Sequence, residues 1–133
     1  MGTKTTIFLL DDDLAVRDAL SVFLEVWGFT VDTFESAETF LEQTLENMQG
    51  ILVVDQRMAG MSGLELQAEL TLRGIELPVI IITGHGDSQM SVTAMKQGAV
   101  GFLEKPFRNQ DLLECIESIQ GRIKPMPPKD HGY

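Results

Sequence analysis

A doubly wound α/β fold, with a five-stranded parallel sheet and helices on both faces, is predicted by three observations. Short apolar runs recur along the chain, unbroken rather than alternating, as strands covered on both faces should be. Helical periodicity fills the gaps between them. The strand–helix unit repeats, and such repetition argues for parallel strands joined by right-handed crossovers.

The first strand is "IFLL" at 7–10. Val16, Leu20, Phe23, Leu24 and Trp27 then fall at helical spacing, with Trp27 expected in the core and Gly28 as a stop signal. "FTVDTF" at 29–34 alternates, so this second strand is expected nearer a sheet edge. Ser36 reads as the cap of "SAETFLEQTLEN", whose apolar face is Phe40, Leu41 and Leu45. "ILVV" at 51–54 is the third strand, and Ser62 opens a third helix that ends at Gly74. "VIII" at 79–82 precedes the weakly amphipathic "GDSQMSVTAMKQG", which carries Met90, Ala94 and Met95; the two methionines read as core rather than a cofactor box, with a partner surface on the fourth helix as the alternative. "GFLE" at 101–104 is a short fifth strand. The last helix places Leu112, Ile116, Ile119 and Ile123 on one stripe, with Cys115 as a small, partly buried helix residue.

The 133 residues are enough for one domain, expected at 5–123, and 44% of them are hydrophobic. The tail 124–133 contains three prolines and no periodicity, and it reads as a linker or vector remnant. Twenty acidic residues against ten basic ones give a formal charge of −10, which opposes phosphate-backbone binding by this segment. No apolar run approaches the ~20 residues of a membrane helix. The N-terminus lacks an export signal, and the single cysteine suits a reducing compartment, so cytoplasmic residence is expected.

In an open α/β sheet, ligands bind beyond the carboxyl ends of the strands. Asp11, Asp12 and Asp13 follow the first strand, Asp55 the third, Thr83 the fourth and Lys105 the fifth. Like charges about 4 Å apart repel by ~4 kcal/mol at an effective dielectric of 20, so a cation belongs among these carboxylates. Asp11, Asp12 and Asp55 suit a hard dication such as Mg²⁺, whereas Asp13 reads as a helix cap. Thr83 and Lys105 suit a tetrahedral anion. Asp55 stands alone at its strand end and is the best nucleophile for an aspartyl phosphate.

"LLDDD", "VVDQRMAGMSG", "IIITGHGD" and "GFLEKPF" together resemble the receiver domain of two-component response regulators, over about residues 5–123. The wording of the middle motifs is similar to the FixJ-like branch, whose members usually carry a LuxR-type helix-turn-helix output domain. The resemblance implies a flavodoxin-like strand order of 2-1-3-4-5. It implies Asp55 as phospho-acceptor, and Mg²⁺ held by Asp12, Asp55 and the Arg57 backbone carbonyl, with Asp11 acting through a water. It further implies Thr83 as switch hydroxyl, Lys105 as phosphoryl ligand, Phe102 as an aromatic switch that would otherwise be core, and a cis Lys105–Pro106 peptide. The implied partners are a sensor histidine kinase, a second copy in a phosphorylation-dependent homodimer through the fourth helix, fifth strand and fifth helix, and DNA through the output domain alone. The chain is then no enzyme beyond catalysing its own phosphorylation and dephosphorylation.

Arg57 and His85, each two residues after a pocket residue, are expected to tune phosphoryl lifetime. Ala59 departs from the family's usual proline, which should loosen its loop. A haloacid-dehalogenase-type phosphatase would need a second acid two residues after the nucleophile, where Arg57 stands. A stand-alone receiver and a non-phosphorylated pseudo-receiver module are two further possibilities. The proline-rich tail favours a truncated transcription regulator over a single-domain protein.

Overall fold

The computed structural model describes residues 5–43, 48–84 and 88–123. Its elements alternate throughout: β1 (Thr6–Leu10), α1 (Leu14–Val26), β2 (Thr30–Phe34), α2 (Ala37–Gln43), β3 (Ile51–Asp55), α3 (Gly63–Leu72), β4 (Val79–Thr83), α4 (Ser88–Lys96), β5 (Gly101–Glu104) and α5 (Asn109–Ile123). All strand pairs are parallel and the order is β2-β1-β3-β4-β5. The expected topology is therefore present, with the alternating β2 at one edge. The order reverses between β1 and β3, and their carboxyl ends flank the crevice so formed.

Unbroken apolar runs are needed because both faces are covered. Phe8, Leu10, Leu52, Val54 and Ile81 point to one side, where they meet Phe40, Leu66, Leu70 and Ala94 of α2, α3 and α4. Ile7, Leu9, Ile51, Val53, Ile80 and Ile82 point to the other, against Leu20 and Leu24 of α1 and Leu112, Ile116 and Ile119 of α5. Phe40 packs edge-on to Phe34 at 5.2 Å and tilted against Phe8 at 5.7 Å, which ties α2 to the first two strands.

The helix starts are locally encoded. Asp13 caps α1 by accepting from the Ala15 and Val16 amides. The Ser36 hydroxyl accepts from the Thr39 amide at 3.0 Å. Ser62 and Glu65 form a reciprocal capping box on α3, satisfying two donors that a helix start otherwise leaves bare.

Two core expectations are corrected. Trp27 is 53% exposed, because α1 ends at Val26 and Trp27 is the cap residue where the chain turns. Phe29, just beyond that turn, takes the buried position instead. Met95 is also exposed and Met90 half-buried, since among the described side chains of α4 it is Ala94 that is fully buried against the sheet. Leu45, the Ile123 side chain and the tail 124–133 lie outside the described residues. Among the described residues, no helix is long and apolar enough to cross a membrane.

Gly50, at the entry to β3, has φ +152°. A Cβ there would stand 2.5 Å from the Thr6 carbonyl oxygen and 2.6 Å from a Phe8 ring carbon, so backbone would have to move. Gly50→Ala is expected to cost about 2–3 kcal/mol of stability. Urea unfolding with an unchanged midpoint would contradict this packing.

Candidate functional site

The site is built by four strand ends. Asp11 follows β1, Asp55 closes β3, Thr83 closes β4, and Lys105 follows β5. Parallel pairing in register sets Asp55 beside Ile82 and Thr83 beside Glu104, so side chains far apart in sequence share one rim. Asp11, Asp55 and Thr83 are each 5% exposed or less, an unusual depth for the two carboxylates.

Lys105 bridges the acids. Its Nζ lies 2.7 Å from Asp55 Oδ2 and 4.0 Å from Asp11 Oδ2. The other Asp55 oxygen, Oδ1, accepts from the Arg57 amide at 2.9 Å. Asp11 Oδ1 accepts from the Asp13 amide at 2.9 Å. Two buried carboxylates thus share one ammonium, which leaves the cluster one charge short of neutrality.

The titration behaviour follows. Burial pushes the Asp11 carboxyl up to about 6; the Asp13 amide opposes the rise, the Asp55 charge adds to it, and Lys105 subtracts. Burial alone would lower the Lys105 ammonium, but its hydrogen bond to Asp55 and the charges of Asp55 and Asp11 outweigh that and hold it above its usual value.

Asp12 stands apart from this pair. It is exposed, and its Oδ2 accepts from the Ala59 amide at 3.2 Å in the loop between β3 and α3. Among the described residues, no three His, Cys, Asp or Glu side chains are already arranged as a metal site. The donor chemistry nevertheless fits a hard cation: oxygen ligands only, net negative charge, and an Asp11 carboxyl raised by burial and by its acidic neighbour.

The remaining expectations fall into place unevenly. The Thr83 carbonyl accepts from the Lys105 amide at 2.8 Å, joining the ends of β4 and β5 directly. The Lys105–Pro106 peptide is cis. Phe102, read as a switch or else as core, is half-buried against the cluster under α2, α3 and α4. The Arg57 side chain is exposed. His85 lies outside the described residues.

Three supporting residues were not anticipated. Arg17 Nη1 donates to the Asp11 carbonyl at 2.6 Å and pins the acidic loop. The Gln56 side chain accepts from the Leu64 amide at 2.8 Å, and Glu38 of α2 accepts from the Met61 amide at 2.9 Å. A helix-facing arginine and a first-turn glutamate carry no sequence signal for such distant contacts.

Comparison with known proteins agrees with this geometry. The response regulator receiver domain family matches residues 7–117. The chain is 42% identical over 130 residues to the transcriptional regulatory protein TdiR of Thauera aromatica, covering 98% of this chain and 57% of that protein. It is 45% identical over 121 residues to nodulation protein W of Bradyrhizobium diazoefficiens, covering 91% and 53%. The crystal structure of FixJ-N superposes with a TM-score of 0.80 at 45% identity, covering 87% of this chain and 93% of that one. The chain spans about half the length of the curated relatives it matches.

A raised carboxyl gives stability that is complete below the unfolded value and is lost as pH rises through the folded one. For Asp11 that window runs from the ordinary value of 3.8 to about 6. Without divalent cations, Asp11→Asn is expected to stabilise the protein at pH 7 by on the order of 2–3 kcal/mol, with the gain fading towards pH 4. Thermal melts across that range in chelator check it, and a gain independent of pH would contradict the assignment.

Proposed function

Because the chain belongs to the response regulator receiver domain family, we propose that it accepts a phosphoryl group from a sensor histidine kinase onto Asp55 and switches conformation as a result. The carrying observation is the buried Asp55 carboxylate with Lys105 Nζ at 2.7 Å and the Arg57 amide on its second oxygen. These two contacts fix the plane of the carboxylate and aim it into the crevice. Phosphoryl transfer needs chiefly positioning and charge stabilisation, and this site supplies both.

In the proposed step, an Asp55 oxygen forms a bond to phosphorus as the bond to the donor's imidazole nitrogen breaks, and the departing imidazole takes up a proton. Lys105 moves from the carboxylate to a phosphoryl oxygen, and the Thr83 hydroxyl takes another. Asp11, Asp12, Asp55 and the Arg57 carbonyl would hold Mg²⁺. When bound, that ion supplies counter-charge to the incoming phosphoryl oxygens. Asp55 can approach an anionic donor only with its own charge compensated, and Lys105 contributes that compensation from the protein side.

The same contacts support the proposed switch. Because the Lys105 amide is bonded to the Thr83 carbonyl, pulling either residue towards a phosphoryl group moves the ends of β4 and β5 together. Phe102 sits next to that joint in a half-buried position, from which its ring can pack further in or further out. The α4–β5–α5 face then changes shape and controls homodimerisation and a DNA-binding output domain in a longer protein. Moving the equilibrium from 1:99 to 99:1 takes ~5.5 kcal/mol of preference. A few charge-assisted hydrogen bonds at ~1.5–3 kcal/mol each reach that size. The domain limits 5–123, a proline-rich linker after them and cytoplasmic residence complete the proposal.

Incubation with acetyl phosphate and Mg²⁺ is expected to add one phosphoryl group by intact mass. Asp55→Asn should abolish the gain, and Lys105→Gln should slow it by about 10²-fold or more. Unchanged labelling of Asp55→Asn, or no labelling of the parent, would refute the reading. The exposed Arg57 side chain is proposed to govern water access to the acyl phosphate, so Arg57→Ala should change the dephosphorylation half-life without changing stoichiometry. An unaltered half-life removes Arg57 from that role.

A further inference from the structure

The loop between β3 and α3 hangs from two carboxylates that belong to other elements. Asp12 Oδ2 holds the Ala59 amide at 3.2 Å, and Glu38 Oε2 holds the Met61 amide at 2.9 Å. Gly60 sits between them at φ +84°, where a Cβ would stand 2.7 Å from Glu38 Oε2. The two contacts are not equivalent. Glu38 has no other assigned role, whereas Asp12 is a ligand of the proposed cation site. Its carboxylate is nonetheless engaged by the loop and exposed, while Asp11 and Asp55 are buried together around Lys105.

We propose that the Ala59 amide holds Asp12 in a standby position, so that a divalent cation must compete with this hydrogen bond for the carboxylate, and that residue 59 thereby sets the cation affinity of the site. The donor is a backbone N–H, which any residue except proline provides. Alanine at this position therefore does more than relax the loop: it introduces a competitor for an anionic ligand. Glu38 completes the device. When Asp12 leaves Ala59, the Glu38–Met61 bond and the Ser62–Glu65 capping box still anchor the loop, so the exchange frees one carboxylate without releasing the segment that carries the Arg57 carbonyl.

A hydrogen bond to a charged group is worth most when buried and less when exposed, as Asp12 is. Removing the donor should accordingly tighten Mg²⁺ binding by about three- to tenfold. The inference rests on the proposed cation site, and the test separates the two. Mg²⁺ titration of the 133-residue chain, followed by calorimetry and by amide NMR in the absence of any phosphodonor, is made for the parent, Ala59→Pro and Ala59→Gly. The expected result is tighter binding by Ala59→Pro alone, since Ala59→Gly keeps the N–H. In the parent, saturation with Mg²⁺ should shift the Ala59 amide resonance upfield and speed its exchange with solvent.

Equal or weaker binding by Ala59→Pro, equal tightening by Ala59→Gly, or an Ala59 amide whose exchange is unmoved by Mg²⁺ would overturn the inference while leaving the cation site in place. A parent that binds no Mg²⁺ would overturn the site reading and this inference with it. If Ala59→Pro fails to fold, the exchange measurement on the parent decides alone.

Discussion

The contact between Lys105 and Asp55 is the constraint on which the rest of the molecule depends. A buried carboxylate without a partner is costly, and breaking such a pair by removing one member typically costs ~3–5 kcal/mol. Here the strain on the pair is larger, because Asp11 is buried beside Asp55 and a single ammonium serves both. A fold under selection for stability alone would not place two acids at the bottom of a crevice. The arrangement becomes favourable when further positive charge arrives among the acids.

Topology makes this concentration of charge possible. Only where the winding of an open parallel sheet reverses do two adjacent strands send their following loops apart, leaving a gap at their carboxyl ends. β1 and β3 meet at that reversal; Asp11 follows the one and Asp55 ends the other. The surrounding loops are then held by side chains that satisfy backbone groups, and in the β3–α3 loop also by burial of Met58 in the core. Arg17 on the Asp11 carbonyl, Gln56 on the Leu64 amide and Glu38 on the Met61 amide each remove an otherwise bare polar group near the crevice. The scaffold beneath is a two-faced apolar sheet, so motion at the rim can be local while the core stays packed.

The buried acids connect to the surface by a short physical route. Lys105 contacts the acids through its side chain and Thr83 through its backbone, so a change in one is felt by the other through a single hydrogen bond of 2.8 Å. Beyond them lies a half-buried Phe102 and then α4, whose outer side exposes Val92 and Met95. Both stay exposed because it is Ala94, between them on the helix, that packs against the sheet.

Much of this protein was decided locally and could be read from the residues alone. Unbroken runs such as "ILVV" and "VIII", alternating with helical patterns, point to parallel strands covered on both faces, and Asp13 and Ser62 announce helix starts because their side chains satisfy amides two or three residues away. The gathering of Asp11, Asp55, Thr83 and Lys105 was conditional on a strand order that the residues suggested only through the family resemblance, and the sheet has that order. Tertiary structure decided what depends on distance through space. Trp27 keeps helical spacing but falls beyond the end of its helix, and Asp12, adjacent in sequence to Asp11, is drawn 47 residues along the chain to the Ala59 amide. Periodicity and motif report which way a residue faces on its own element; which atom of a distant loop arrives opposite it is fixed only when the elements pack.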